Sequence, residues 1–495
     1  MAAVGSPKLR QGGADADPPR RPRRRAGQVP RHPGWGWPVV ATLSWDRPAL
    51  ETLLATALDL VTEGEAEALF TARDAALTRF ANSQIHQNVI EHDATLRLRV
   101  IHDGRTGVAT TNRLDAEGLR EVVERATDIR RRARPNPDQP PLAEPLASSA
   151  PATLGYVNAT ANADPEMRAA GARSVIAAGD AVGLEVSGAF STDTATLAVA
   201  NSRGMWNSHT VTQAKLLTVM LDGQGGSGYA QSTAADLRAI DAAAVGEEAA
   251  EKATRSAGAS DLGPGEYPVI LEEYAVATIL EYLSWSGFSA LALQEGRSFM
   301  DLGEQIMGPN VSIWDDGLDP MGMPTSIDYE GVPKQRVDLI TDGVACAVVH
   351  DTATALKAGT TSTGHGLPAP NVWGPIAWNL FMAPGSGSKE AMLAGIERGI
   401  WVTRFHYVNI VHAKRGILTG MTKDGTFLIE DGRIVRPVRN LRFTQSIPEA
   451  FSHIDAIGAE TKLVSAEYSG IFARVPALRV ERFNFTGATS SEGAG

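Results

Sequence analysis

GIWVTRFHYVNIVHAKRGILTGMTKDGTFLIEDGRIVRPVRNLRFTQS, residues 399–446, is a run of short β-type segments broken by Gly-containing turns, with hardly any helical period. Within it, residues 427–438 read as a strand, an Asp431-Gly432 turn of the hairpin-forming kind and a second strand, which sets Glu430 across the turn from Arg433. His406 and His412 are six residues apart and would share one face of a continuous strand. Phe405, Tyr407, Val408 and Ile410 around them mark a core strand, so both histidines read as hydrogen-bonded residues rather than metal ligands. The last third of the chain is therefore expected to be β-rich.

The surrounding composition is that of a globular protein. Of 495 residues, 43% are hydrophobic and 21% charged, enough chain for two or three domains and a sizeable core. The formal net charge of −11 gives no general attraction to nucleic acid or anionic lipid. A single cysteine, Cys346, excludes an internal disulfide and fits a reducing compartment. No stretch approaches the ~20 consecutive apolar residues of a membrane span, so a cytoplasmic location is expected. Residues 1–45 are basic and rich in Pro and Gly, without amphipathic period, and read as a disordered tail. The arginines at 20–25 are not followed by the apolar stretch of an export signal.

Outward from the β region, the chain divides into two domains, 46–262 and 263–486, with a flexible end over 487–495. Asp46 caps a helix with Pro48 in its first turn, and Leu50, Leu53, Leu54, Ala57, Leu58 and Val61 form its apolar stripe. Strands are expected over 84–90 and 95–101, joined through the Asp103-Gly104 turn to 108–112, then an Asp115-capped helix and a Pro-rich linker. A helix over 165–181 leads into a meander with strands near 184–191, 194–201, 206–212 and 215–222, and a helix over 242–256 follows. The segments 110–126 and 231–253 share an order of strand, polar capping stretch and helix, a hint of internal duplication. A Gly- and Pro-rich stretch, 261–268, separates this α/β meander from a second domain that opens with an apolar strand and a helix over 272–286. The fold class is α+β.

Other constellations bear on chemistry. The glycines of 223–228 fit GxGxxG after a strand, but Tyr229 and its successors continue extended instead of opening a helix under a pyrophosphate, so the segment reads as a hairpin loop. Cys346 and His350 are four apart on a helix-like stretch, 344–358, whose apolar neighbours make the thiol a buried packing residue rather than a nucleophile. Residues 360–364 supply hydroxyls and backbone donors, with His365 beside them in a mobile-looking Gly loop; Ser362, Thr363, Gly364 and His365 are the candidates for a cleft or partner-facing rim, with a simple turn as the alternative.

The order of the motifs RFANSQIHQN (79–88), GRTGVATTN (104–112), GRSFMDLGEQI (296–306), IWDD (313–316), STGHG (362–366) and the Gly416–Gly420 segment resembles the TldD/PmbA family, over about residues 53–485. That resemblance implies a two-domain TldD/PmbA-like fold and a two-subunit metalloprotease system in which one type of subunit carries a zinc-binding HExxxH helix. The corresponding helix here reads LEEYAVATILEYLSWSGFSALA, and at its metal position, 281–286, there is no histidine. Glu281 followed by Tyr282 and Ser286 offers no second ligand. The chain is accordingly most similar to the PmbA or TldE-type subunit, with no catalytic or metal residue and no cofactor of its own. Zinc is expected in a TldD-like partner, and extended or unfolded peptide as substrate. A stand-alone peptide-binding scaffold and an independent hydrolase are the other readings.

Overall fold

The computed structural model describes residues 45–466 and 469–488. The expected tail, apart from Trp45, lies outside the described residues.

Side-chain caps start the helices of the first half. The Asp46 carboxylate accepts from the Ala49 N–H at the head of α1 (Arg47–Asp59), and Asp115 accepts from Gly118 at the head of α2 (Ala116–Arg132). After the single turn α3 (Asn158–Ala161), Asp164 caps α4 (Pro165–Asp180) through Met167 N–H. Asp241 accepts from both Ala243 and Ala244 at α5 (Ala242–Arg255). Asp241→Ala leaves those two donors to solvent and is expected to cost about 1 kcal/mol, read as a lower urea midpoint at unchanged slope.

The strands of this half are longer than expected. β1 (Glu65–Ala81), β2 (Gln84–His102), β3 (Arg105–Thr111), β4 (Glu185–Asn201), β5 (Trp206–Leu221) and β6 (Ser227–Ala234) form one six-stranded sheet in the order β3-β2-β1-β4-β5-β6. The paired short strands expected over 84–101, 184–201 and 206–222 are each a single strand, and β1 was not anticipated at all. The mid-strand polar residues that read as breaks are satisfied across the sheet. Arg73 Nε donates to Asp193 Oδ1 at 2.9 Å, and the Thr71 and Thr95 hydroxyls meet at 2.9 Å.

The sheet consists of two halves with the same order of helix, three strands and helix: α1-β1-β2-β3-α2 and α4-β4-β5-β6-α5. The hinted duplication is therefore visible in the topology. Gly107 in β3 and Gly228 in β6 occupy matching places, since a Cβ on the first would lie 1.9 Å from Ala126 O in α2 and on the second 2.1 Å from Ala249 O in α5. Helix and strand approach closely only because both residues lack a side chain. All four helices cover one face, where Phe70, Leu96 and Leu98 pack under α1 and α2, and Val186, Phe190 and Leu216 under α4 and α5. The opposite face, with Thr71, Arg73, Ala195, Leu197, His209 and Val211, turns toward the second half of the chain.

That half begins with β7 (Gly265–Leu271), α6 (Glu273–Ser286) and α7 (Ala290–Gln294), then β8 (Ile313–Asp315), β9 (Val337–Thr341), β10 (Val344–Ala345), α8 (Thr352–Ala358) and β11 (Asn379–Met382). It continues through α9 (Lys389–Ala394), β12 (Arg398–His412), β13 (Ile417–Glu430), β14 (Arg433–Pro437), β15 (Leu441–Ser446), α10 (Ile447–Phe451), β16 (Ile454–Ser465) and β17 (Phe472–Ala488). These strands form an eleven-stranded sheet. β7 pairs in parallel with β12 and antiparallel with β17, so the path β17-β15-β13-β12-β7 closes on itself. Phe405, Phe443 and Phe483 cluster between its strands, with centroids 4.5 to 5.8 Å apart.

The hairpin predicted from 427–438 forms as read, with Glu430 opposite Arg433 and positive φ at Asp431 (48°) and Gly432 (72°). Only Thr352–Ala358 of the expected 344–358 helix is helical, because Val344 and Ala345 pair with β9 instead. Gly487 and Ala488, expected in a flexible end, extend β17, while 489–495 lie outside the described residues. Among the described residues no helix is long and apolar enough to cross a membrane.

Candidate functional site

The sequence-predicted loop residues gather in the interior. His365 is fully buried, and its Nε2 donates to Asp315 Oδ1 at 2.9 Å while its Nδ1 meets the Thr363 hydroxyl at 2.9 Å. The Asp315 Oδ2 accepts the Asn379 backbone N–H at 2.7 Å. Burial alone would raise the Asp315 carboxyl, but His365, Lys334 and the Asn379 N–H bring it below the usual range. Burial pushes the His365 imidazole down, and the charge of Lys334 adds to that. The ring is therefore a neutral donor to an ionised carboxylate.

Thr363, His365 and Asp315 have the connectivity of a nucleophile, base and orienting acid. Their surroundings make them a fastening instead. The Thr363 hydroxyl already accepts the His350 N–H at 2.8 Å, and neither Asp315 nor His365 has any exposed surface. Ser362 Oγ is likewise tied to His350 O at 3.2 Å, and Gly364 is buried. The loop expected to be mobile is thus held from several sides, and His365 faces inward rather than along a rim.

Around this fastening lies a group of buried charges that the sequence did not single out. Lys334 is 4% exposed, and its Nζ has no hydrogen-bond partner among the described residues. Burial lowers its pKa, against the attraction of Asp315 and Asp328. Asp328 accepts from the backbone N–H groups of Glu330, Val332 and Gly366, at 2.6 to 2.9 Å. Glu330 accepts from Thr352, through its N–H at 2.9 Å and its hydroxyl at 2.6 Å. Burial pushes both carboxyls up. Three N–H donors favour the ionised form of Asp328, whereas Glu330 also feels the charges of Asp328 and Asp351, so ionisation of Glu330 is the more strongly opposed. No periodicity marks the segment IDYEGVPK (327–334) as special, and its charges meet Asp315 and His365 only through loop geometry.

Between these loops and the uncovered face of the first sheet is a cavity of about 520 Å³. Leu197, Val211, Ile327, Trp378 and Phe472 give it apolar walls, and Arg73, His209, Asp328, Tyr329, Lys334 and Asn379 are among its polar lining residues. His209 joins the two halves: its Nε2 donates to Pro324 O at 3.2 Å, and its Nδ1 accepts from the Ser326 hydroxyl at 3.0 Å. Burial lowers its pKa to about 4. Further ties run from Asn207 to Gly331 O and from Lys252 to Glu272.

The remaining candidates stand apart from this cavity. Cys346 is exposed, not packed as expected, because the stretch around it is an irregular loop rather than a helix. His406 and His412 belong to β12, but bulges after His406 and after Ile410 break the alternation on which a shared face depended. Residues 223–228 form the hairpin turn between β5 and β6, held by Asp222 Oδ1 accepting from Gln224 and Gly226. In α6, Ser284 donates to Ala377 O and Ser286 to Tyr282 O, so neither hydroxyl is placed as a metal donor beside the buried Glu281. Among the described residues no three His, Cys, Asp or Glu side chains converge to hold a metal ion. The α6 donor set does not fit zinc.

Residues 264–487 match the family described as PmbA/TldA metallopeptidase C-terminal domain, and residues 66–130 match PmbA/TldA metallopeptidase domain 1. The Metalloprotease PmbA of Escherichia coli O157:H7 is 23% identical over 440 residues, covering 85% of this chain and 93% of that one. A metalloprotease of Methanothermobacter thermautotrophicus is 28% identical over 224 residues, 44% of this chain, which spans about half (48%) of that relative's length. In three dimensions the chain is similar to TldE from Thermococcus kodakarensis, with a TM-score of 0.80 at 21% identity, covering 88% of this chain and 100% of that one. With both family domains matched in chain order on an α+β fold of this kind, the chain belongs to the PmbA/TldD family.

Proposed function

We propose that the chain is the metal-free, TldE-like subunit of a two-subunit metallopeptidase of the cytoplasm, in which a TldD-like partner holds the zinc and this chain shapes the chamber around an extended or unfolded peptide. The observation that carries the reading is α6. It follows the first strand of the second sheet, where a zinc helix would stand, and offers Glu281, Tyr282, Ser284 and Ser286 with both serine hydroxyls turned to backbone carbonyls. The likeness of fold to a protein named TldE supports the same assignment. Long strands with backbone groups at their edges would let an extended peptide add by main-chain pairing.

The test is reconstitution. Elemental analysis of the purified chain is expected to find no stoichiometric zinc, and the chain alone is expected to leave unfolded β-casein intact. Mixed with its TldD-like partner it should cleave, and substitution of the partner's zinc helix should abolish that cleavage. Cys346→Ala should leave the rate of the mixture unchanged. Cleavage by the isolated chain, or near one zinc per chain retained through dialysis, would overturn the assignment.

A further inference from the structure

Two residues that line the cavity between the two halves each carry a buried polar atom left unanswered among the described residues. Lys334 Nζ and Asn379 Oδ1 are both buried, both belong to residues that line the cavity, and neither has a hydrogen-bond partner among the described residues. Nearby carboxylates do not supply one. Asp315 uses Oδ1 on His365 and Oδ2 on the Asn379 N–H, and Asp328 uses both oxygens on the N–H groups of Glu330, Val332 and Gly366. The Asn379 amide nitrogen is spent on Met323 O at 2.5 Å, which fixes its oxygen as the free acceptor. His209 has both ring nitrogens engaged, on Pro324 O and the Ser326 hydroxyl.

One cationic donor and one neutral acceptor on residues that line the same cavity call for the complementary pair, an anionic oxygen close to an N–H. The terminal residue of a peptide carries that pair one carbon apart, as carboxylate and amide N–H, and an N-acyl amino acid carries it too. The volume of about 520 Å³ is that of a small-ligand site, and Leu197, Val211, Ile327, Trp378 and Phe472 offer walls for an apolar side chain. Asp328 and the exposed Asp93 also border the space, and the Arg73 guanidinium that lines it is paired with Asp193, so the ammonium of Lys334 is the cation left to meet an anion there.

We propose that this cavity binds the C-terminal end of a peptide or an N-acyl amino acid with an apolar side chain, Lys334 donating to the carboxylate and Asn379 Oδ1 accepting from the amide N–H. The preference for peptide over small acyl amino acid rests on the function proposed above; the carboxylate chemistry does not.

Trp378 lines the cavity, so the isolated full chain can be titrated by tryptophan fluorescence, with calorimetry as a second readout. The probes are N-acetyl-leucine, a tripeptide ending in leucine with a free carboxylate, and the same tripeptide amidated. The free acid should bind saturably and at least about tenfold more tightly than the amide. Lys334→Met, checked for folding by circular dichroism, should erase that preference while leaving weak amide binding alone. Should that variant fail to fold, Ala195→Trp fills the space from the exposed sheet face without touching Lys334, and should abolish binding of every probe. Binding of N-acetyl-leucine alone would keep the carboxylate chemistry and assign the site to a small acyl amino acid. Equal affinity for acid and amide, no binding of any probe at 10 mM, or full binding by folded Lys334→Met would overturn the proposal. Because no proteolysis is measured, carboxylate-dependent binding without partner-dependent cleavage would leave this site standing and remove the protease reading, and the reverse result would do the opposite.

Discussion

His365→Ala is expected to lower the unfolding free energy by about 3–5 kcal/mol, the range for removing one partner of a buried, charged hydrogen bond together with a fully enclosed ring. The imidazole has no exposed surface and is the donor that holds Asp315 Oδ1. Without it a carboxylate oxygen is left in the interior, next to a space the size of the ring. His365→Gln, whose amide N–H extends to about the position of Nε2, should recover a substantial part of the loss. Guanidinium unfolding followed by circular dichroism measures both. Burial holds the imidazole below its ordinary value of 6.5, so the neutral ring's contribution is complete above that pH and fades as the pH falls through the folded value. The gap between wild type and His365→Ala should accordingly narrow in acid. A loss below about 1 kcal/mol at neutral pH would mean that water reaches Asp315 and that the fastening is not closed.

The second large effect has the opposite pH sign. Glu330 is pushed up to about 8 from an ordinary 4.5, by burial first and then by Asp328 and Asp351. A carboxyl whose folded pKa is raised contributes stability that is present below its unfolded pKa and disappears as the pH rises through the folded one. Glu330→Gln keeps an oxygen for the Thr352 N–H and hydroxyl and has nothing to ionise. The variant should therefore gain on wild type between pH 6 and pH 9 by roughly 2 kcal/mol, after allowing for the part of the carboxyl that solvent reaches. A difference that stays flat over that range would mean that Glu330 does not change its protonation there.

What could be read ahead of the structure had local causes. The Asp431-Gly432 hairpin is written in two residues that tolerate positive φ, and α1 and α2 in Asp46 and Asp115 followed by apolar stripes. β1 escaped notice because EAEALFTARDAALTRFA is built largely of helix formers, and pairing along its length with β2 and β4 overrides that preference. Long strands were cut in pieces at Asp193 and Gln213, since a polar residue in mid-strand reads as a boundary until the opposite side chain is known. Cys346 looked buried because its apolar neighbours suggested a helix that does not form. The cavity residues were illegible for a different reason. Asp315, Lys334, Asn379 and His209 lie on four separate segments, and nothing in the spacing of loops announces that they meet.

The closed path of strands in the second half has a consequence for how the chain is made. β7 is the first strand of that sheet to leave the ribosome and β17 the last, yet they are hydrogen-bonded neighbours. Synthesis of roughly two hundred intervening residues, at 5–20 residues per second, separates them by about 10–40 seconds. For that interval one edge of β7, with Val269, Ile270 and Leu271 beside it, lacks the strand that finally covers it. A nascent chain stopped anywhere short of residue 478 carries an unsealed seam, and chaperone capture or premature pairing between neighbouring chains on a polysome would concentrate there.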